Sequence, residues 1–277
     1  MVTWAVRNFR SHFGVAHRMV AFLSTALFGN FVYKVRSGPA AGMWRKGGLG
    51  FLNLGRPPSA EIQFLDRLEL SGKTVYDIGG FEGILTMFFA RKAARVITYE
   101  PNSRNFQRCL ENIKLNRLEN VQLFPRGLSS KSGELQMAYD PLMPGAASAS
   151  DAITRQILGS GGGAKTMAVS VSTLDSEIET HRLPDPDFIK IDIEGMELDA
   201  LKGMRGILSQ RGPDLFIELH GAELEDKVQN ARAVVDLLTK AGYRIHDVEN
   251  AVDVTSIASH AFPPSHLYCT KGRTPAT

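Results

Sequence analysis

The stretch Val75-Tyr76-Asp77-Ile78-Gly79-Gly80-Phe81-Glu82-Gly83 constrains the fold of this chain more than any other. Its first residues favour a strand, its glycines force a tight turn, and an apolar helical run, residues 84–90, follows at once. A glycine turn between a strand and a helix lets the backbone approach a ligand, and the first helical amides point outward to meet it. The segment is predicted to be a ligand-binding corner.

Charge decides which guest suits that corner. A dinucleotide brings a pyrophosphate, and its fingerprint is G-x-G-x-x-G with no carboxylate in the crevice. Here the pattern is D-x-G-x-x-x-G, with Asp77 at the end of the strand and Glu82 inside the turn. Carboxylates a few ångströms from a phosphate in a partly dry cleft repel it by several kcal/mol. S-adenosylmethionine has no phosphate and carries an ammonium and a sulfonium, so Asp77 favours it, with Gly79, Gly80 and Gly83 as the expected backbone contacts. The next strand, residues 95–100, ends in Glu100, which lies 21 residues beyond Gly79. An acid about 20 residues after the glycine turn, at the tip of the neighbouring strand, is placed to accept both ribose hydroxyls.

A chain of 277 residues, with 43% hydrophobic and 22% charged residues, suits one α/β domain with an appendage. We divide it into a basic amphipathic arm and linker at 1–59 and a cofactor-binding domain at 60–277. Cys109 and Cys269 provide neither a disulfide framework nor a C-x-x-C pattern, and both read as small core residues. The formal net charge of +3 is uneven: residues 1–60 hold eight basic residues and no acid, leaving −5 for the remainder.

In the arm, Phe9, Phe13, Ala16, Val20, Leu23, Leu27 and Phe31 recur at steps of three or four, an amphipathic helical stripe. Its charge-free stretch, Met19–Tyr33, has 15 residues. That is short of the roughly 20 apolar residues a spanning helix needs. Four roles remain open: a lid over the domain, a helix lying on an anionic membrane, a targeting peptide and a secretory signal. The expected location is cytoplasmic, with peripheral membrane attachment through residues 1–36 left open. Residues 37–59 are rich in glycine and proline and read as a linker.

A helix is expected near 60–68, and Ser103 is expected to cap a helix running to Asn116. Val121–Phe124 then gives a third strand. Strands alternating with helices predict a doubly wound, mostly parallel sheet. Gly127-Leu128, beyond the third tip, is a candidate wall for the adenine, and a short strand follows near 134–139. Residues 140–165, glycine- and serine-rich, are expected to form a mobile loop or a substrate lid.

Asp187–Leu201 is the second informative stretch. A buried strand carrying Lys190 ends at Asp192, Glu194-Gly195 turns the chain, and Glu197 opens a helix. Ligands of a doubly wound sheet sit outside the C-terminal strand ends, which places Asp192 beside Asp77. In Leu215–His220, Glu218 and His220 fall on one face and Phe216 is expected to turn to the core. Glu218 is either paired, for instance with Lys190, or aimed at the cleft. His220 is a candidate base for a hydroxyl proton. Asp192, Glu218 and His220 together could hold a divalent cation, but no metal site is assigned. The remaining histidines, His266 among them, have no metal-ligand spacing and receive no role. No nucleic-acid-binding motif is present.

Residues 75–83, V-I-T-Y-E-P-N at 96–102, S-T-L-D at 172–175 and F-I-K-I-D-I-E-G-M-E-L-D-A-L-K-G at 188–203 together resemble the FkbM family of S-adenosylmethionine-dependent methyltransferases, within the class I, Rossmann-like fold. The resemblance covers about residues 70–250. It implies a seven-stranded sheet with the last strand antiparallel, and O-methylation of a hydroxyl on a sugar, polyketide or other small metabolite. One departure is Gly80-Phe81-Glu82, where relatives commonly carry Ala-Asn and a small or apolar residue; Glu82 there bears on how the methionine carboxylate is held. On this reading Asp77 and Asp192 contact the methionine end and Glu100 the ribose, while His220 or Asp192 takes the acceptor proton. Two alternatives remain: a binding protein that keeps the fold without turnover, and an NAD-dependent oxidoreductase.

Overall fold

The structure is a computed structural model, and it describes residues 27–48, 57–141, 143–159, 163–254 and 263–272, without the side chains of 143–146. The strands of the central sheet are β3 (Thr74–Ile78), β4 (Arg95–Tyr99), β5 (Val121–Phe124), β10 (Phe188–Ile191), β11 (Asp214–Glu218), β12 (Arg244–Asp247), β13 (Val252–Asp253) and β14 (His266–Thr270). They lie in the order β13-β12-β14-β11-β10-β3-β4-β5. Strands β5, β4, β3, β10 and β11 are parallel neighbours, and β14 enters antiparallel between β11 and β12. This is the expected seven-stranded sheet, extended by the two-residue β13 at its edge.

The period of two along each strand sorts the core into two layers. Helices α1 (Ala60–Arg67) and α2 (Ile84–Lys92) cover one face and bury Val75, Phe188 and Phe216. The helices α5 (Leu174–His181), α6 (Glu197–Lys202), α7 (Arg205–Gln210) and α8 (Leu224–Lys240) cover the other, over Tyr76, Ile189 and Ile217. Phe216 faces the core as expected, and Glu218, two residues on, shares that α1/α2 face. Toward the C-terminal ends that apolar face changes to Asp77, Lys190 and Glu218. The expected single helix after Glu197 is broken at Gly203-Met204, where a Cβ on Gly203 would lie 2.0 Å from the Ser129 carbonyl oxygen.

Helix α3 (Ser103–Leu115) begins one residue earlier than a Ser103 cap would require. Asn102 is the cap, its side-chain oxygen accepting from the amides of Arg104 and Asn105.

Two stretches expected to be irregular are folded. Residues 127–172 build a second sheet from β6 (Gly127–Leu128), β7 (Gly133–Asp140), β8 (Met143–Ser148) and β9 (Lys165–Ser172), in the order β6-β9-β7-β8, with α4 (Asp151–Gly159) packed on it. The loop expected over 140–165 is thus largely strand and helix. Its stability comes from β7–β9 pairing over Gly133–Tyr139 and from Met137, Val169 and Val171 buried on one side.

In the linker, β1 (Val32–Lys34) and β2 (Trp44–Lys46) form a hairpin. It docks on α2 and α3 through Tyr33, Ala40, Met43 and Met87. Polar ties flank that contact: Asn112 and Asn116 accept from the Lys46 and Trp44 amides, Lys46 pairs with Glu111, and Arg45 pairs with Glu82 at 2.6 Å. The helical stripe of the arm lies mostly in residues 1–26, outside the described residues.

Candidate active site

The tips of β3, β4 and β10 converge on one cavity of about 230 Å³, roofed by the second sheet. The approach of the first and third tips depends on Gly79. Its φ of +86° is left-handed, and a Cβ there would stand 1.9 Å from the Asp192 carbonyl oxygen. The turns after β3 and β10 also hold two non-glycine residues in the left-handed region, Phe81 at +50° and Glu194 at +51°, and both line the cavity. Such backbone conformations cost about 1–3 kcal/mol and concentrate at functional sites.

Glu100 lies on the floor of the cavity, 5% exposed. One carboxylate oxygen accepts the Phe81 amide and the other the Asn102 amide, both at 2.8 Å. Burial pushes the carboxyl up to about 7, against the pull of those amides. Beside it, Pro101, Leu128, Met137, Val169 and Val171 make an apolar slot. Among the described residues, no Lys, Arg or His lines the cavity.

Asp77 does not line the cavity. It is fully buried, accepts the Thr86 hydroxyl at 2.6 Å and lies 3.7 Å from the Lys190 ammonium, and its Oδ1 has no hydrogen-bond partner. Burial raises its carboxyl above the ordinary range, with Lys190 and Thr86 opposing. Lys190 also donates to Asp192 at 3.0 Å, so one buried cation spans the tips of β3 and β10. Lys190 is therefore the partner of Asp77 and Asp192, whereas Glu218 finds its own partners, the imidazoles of His220 at 3.4 Å and His266 at 3.6 Å. Gly80 and Gly83 also stand back from the cavity. A Cβ on Gly80 would strike Thr98, and one on Gly83 would strike Cys109, so both serve packing. Glu82 turns away to Arg45 of the hairpin.

His220 sits beyond β11, facing carboxylates on nearly every side. Its Nδ1 is 3.0 Å from Glu197, and its Nε2 is 3.4 Å from Glu218, 3.7 Å from Asp192 and 3.8 Å from Glu194. Burial alone would lower the imidazole pKa. The hydrogen bonds to Glu197 and Glu218 and the charge of Glu194 prevail and hold it well above the usual histidine range. A raised pKa favours the charged ring and makes His220 a weaker candidate for taking a hydroxyl proton near neutral pH.

His266 and Glu61 escaped the sequence reading. Both reach Glu218, His266 because β14 pairs with β11 in a register that sets it directly opposite. Nothing local in the sequence marks either of them.

A doubly wound sheet with one inserted antiparallel strand, and an acidic, phosphate-averse cavity at its parallel tips, defines a class I methyltransferase. Residues 77–245 match the family model of the Methyltransferase FkbM domain, and the chain belongs to that family. The cofactor of such enzymes is S-adenosylmethionine, and the cavity fits it: an apolar slot for a base, a buried acid for hydroxyls and, among the described residues, no phosphate-binding cation. Over 147 residues the chain is 31% identical to the hexuronic acid methyltransferase AglP of Haloferax volcanii, covering 53% of this chain and 55% of that protein. The chain spans little more than half the length of the curated relatives it matches first. Among solved structures, an FkbM methyltransferase from Methylobacillus flagellatus aligns with TM-score 0.45 and 21% identity over 74% of this chain and 45% of that one. A putative methyltransferase from Streptococcus mutans, solved with SAH, aligns with TM-score 0.43 and 12% identity over 76% of this chain and 94% of that one.

Proposed function

We propose that the protein transfers the methyl group of S-adenosylmethionine to a hydroxyl of a sugar or other small metabolite. The observation that carries this reading is the cavity itself, with Glu100 on its floor, Asp192 and Glu194 at its rim and no basic side chain in its wall. That the relative AglP is named a hexuronic acid methyltransferase favours a sugar acid as acceptor.

Bound S-adenosylmethionine supplies an activated methyl group on a sulfonium. The chain has to bind and orient it, exclude water and relieve the acceptor of its proton. Glu100 accepts the ribose hydroxyls, and the apolar slot with Gly127 and Leu128 takes the base. Asp77, held by Lys190 and Thr86, fixes the glycine turn from beneath. The second sheet keeps water out. Asp192, partly exposed at the rim beside Lys190, takes the acceptor proton. His220 and Glu218 set the field around it, the imidazole lying 3.7 Å from Asp192 and 3.4 Å from Glu218. Incubation with labelled S-adenosylmethionine and a panel of uronic acids and neutral sugars tests the reading. Transfer to a hydroxyl is expected; retention of the cofactor without transfer to any acceptor would favour a binding role.

We also propose that the arm brings the enzyme to an anionic membrane surface. Residues 1–26 carry three arginines and no acid. Next to them Leu27, Phe31, Val32 and Trp44 expose apolar side chains. Among the described residues no helix is long and apolar enough to cross a membrane. Sedimentation with phosphatidylserine vesicles, with and without residues 1–36, tests this; equal binding by both forms would refute it.

A further inference from the structure

We infer that Asp192, Glu218 and His220 form a divalent metal site at the rim of the cofactor cavity, suited to a borderline transition ion such as Mn²⁺ or Zn²⁺. Each offers a ligand atom, and these atoms all lie within 4.8 Å of one another. From His220 Nε2 the carboxylate oxygens of Glu218 and Asp192 are 3.4 and 3.7 Å away. Ligands about 2.1 Å from a common ion stand about 3.0 Å apart in octahedral and about 3.4 Å apart in tetrahedral geometry, so the two distances from His220 are within a few tenths of an ångström of a tetrahedral shell.

The surroundings are built as a metal-binding histidine requires. A ligating imidazole usually donates its other N–H to a carboxylate, which fixes the tautomer and aims the free nitrogen. Glu197, fully buried, does this for His220 at Nδ1, and is itself held by Asn230 at 2.6 Å and the Gly195 amide at 2.9 Å. Nε2 is thereby pointed at three carboxylates. A separate observation comes from the opposite side of Glu218. There His266 is held at Nδ1 by Glu249, and its buried Nε2 has no hydrogen-bond partner while facing the second Glu218 oxygen at 3.6 Å. Glu218 thus has a carboxylate-oriented imidazole at each oxygen, and Glu61, Glu218 and His266 form a neighbouring trio of potential ligands.

Ligand chemistry sets the preference for the ion. One imidazole with two carboxylates suits Mn²⁺, Fe²⁺ or Zn²⁺ better than Mg²⁺ or Ca²⁺, which prefer oxygen alone. Three protein ligands leave coordination positions open. Asp192 and Glu218 are partly exposed, so those positions are open to solvent, and Asp192 also lines the cavity. An ion there would displace the proton from His220 Nε2, take an acceptor hydroxyl and lower its pKa. This role rests on the methyl-transfer reading above; the site itself does not.

The test is a Mn²⁺ titration of the full chain after treatment with EDTA and dialysis, followed by the electron paramagnetic resonance of free Mn²⁺ and by calorimetry. One Mn²⁺ per chain is expected at Asp192, Glu218 and His220, displaced by Zn²⁺. His220→Ala and Glu218→Gln should each weaken it by more than tenfold, and Glu197→Gln by about 10–100-fold. His181→Ala should leave it unchanged, and circular dichroism confirms that each variant is folded. Absence of bound Mn²⁺ and Zn²⁺ in the wild-type chain would overturn the inference. So would binding that survives His220→Ala combined with Glu218→Gln. The two readings fail separately: metal uptake without methyl transfer leaves the site standing and removes the reaction, and transfer undiminished in EDTA by a chain that takes up no metal does the reverse.

Discussion

Glu100 offers the sharpest test, because burial and cofactor binding push its charge in opposite directions. In the free protein its carboxyl sits at about 7 rather than 4.5. The unfolded state therefore holds fewer protons than the folded state between those values, and stability falls as pH rises through that window. The cost is about 3 kcal/mol, complete above pH 7 and absent below pH 4.5. Ribose hydroxyls that donate to Glu100 favour its ionised form. The cofactor should therefore bind more weakly as pH drops below 7, approaching tenfold per unit, and should release a proton when it binds near neutrality. Glu100→Gln removes the charge and keeps the shape. Its stability relative to wild type should improve by about 3 kcal/mol between pH 4.5 and pH 8, even though the amide nitrogen now faces one backbone donor at a fixed cost of about 1–3 kcal/mol. Its affinity for S-adenosylmethionine at pH 8 should fall by about 1–3 kcal/mol and lose the pH dependence. Urea denaturation and calorimetry at several pH values read both quantities. A wild-type affinity that is flat from pH 5.5 to 8, or a Glu100→Gln variant that binds as wild type does, would remove Glu100 from the ribose site.

Gly79→Ala places a Cβ against the Asp192 carbonyl in a left-handed backbone, so loss of the fold or a steep drop in urea midpoint is expected. Gly72→Ala, at φ +73° with no atom within 4 Å, carries backbone strain alone and should cost about 1 kcal/mol. Lys190→Met leaves Asp77 and Asp192 facing each other without their buried cation and should cost about 3–5 kcal/mol, part of it recovered by adding Asp77→Asn; an unchanged denaturation midpoint would contradict the pairing. Arg45 and Glu82 are both mostly buried in their pair, and a double-mutant cycle should give a coupling of about 1–3 kcal/mol. Zero coupling would mean that this pair adds nothing to the apolar contacts and the other polar ties that hold the hairpin.

The sequence disclosed the central sheet because its signals are local. Buried parallel strands read as short apolar runs, and the turns at Gly79 and Gly195 demand glycine. Glu100 and Asp192 were legible for the same reason, each being the acid that ends such a run. The second sheet was hidden because β7 and β9 find one another across an intervening strand and helix, and a Gly-, Ala- and Ser-rich segment carries little apolar signal of its own. Pairing in register also hid the electrostatics. Lys190 lies beside Asp77 only because β10 pairs with β3, and His266 meets Glu218 only because β14 is inserted next to β11. The consequence reaches the central argument for a cationic cofactor. Read from sequence, Asp77 was the charge that selected it; in the fold Asp77 is sealed off and shares a lysine with Asp192. Selection against a pyrophosphate must then come from what the cavity presents, namely Glu100 and Glu194, the exposed part of Asp192 and, among the described residues, a wall without a basic side chain. Asp77 has the different task of holding Lys190 where it joins two strand tips. Replacing Asp77 should therefore be felt first in stability, and replacing Glu100 first in binding.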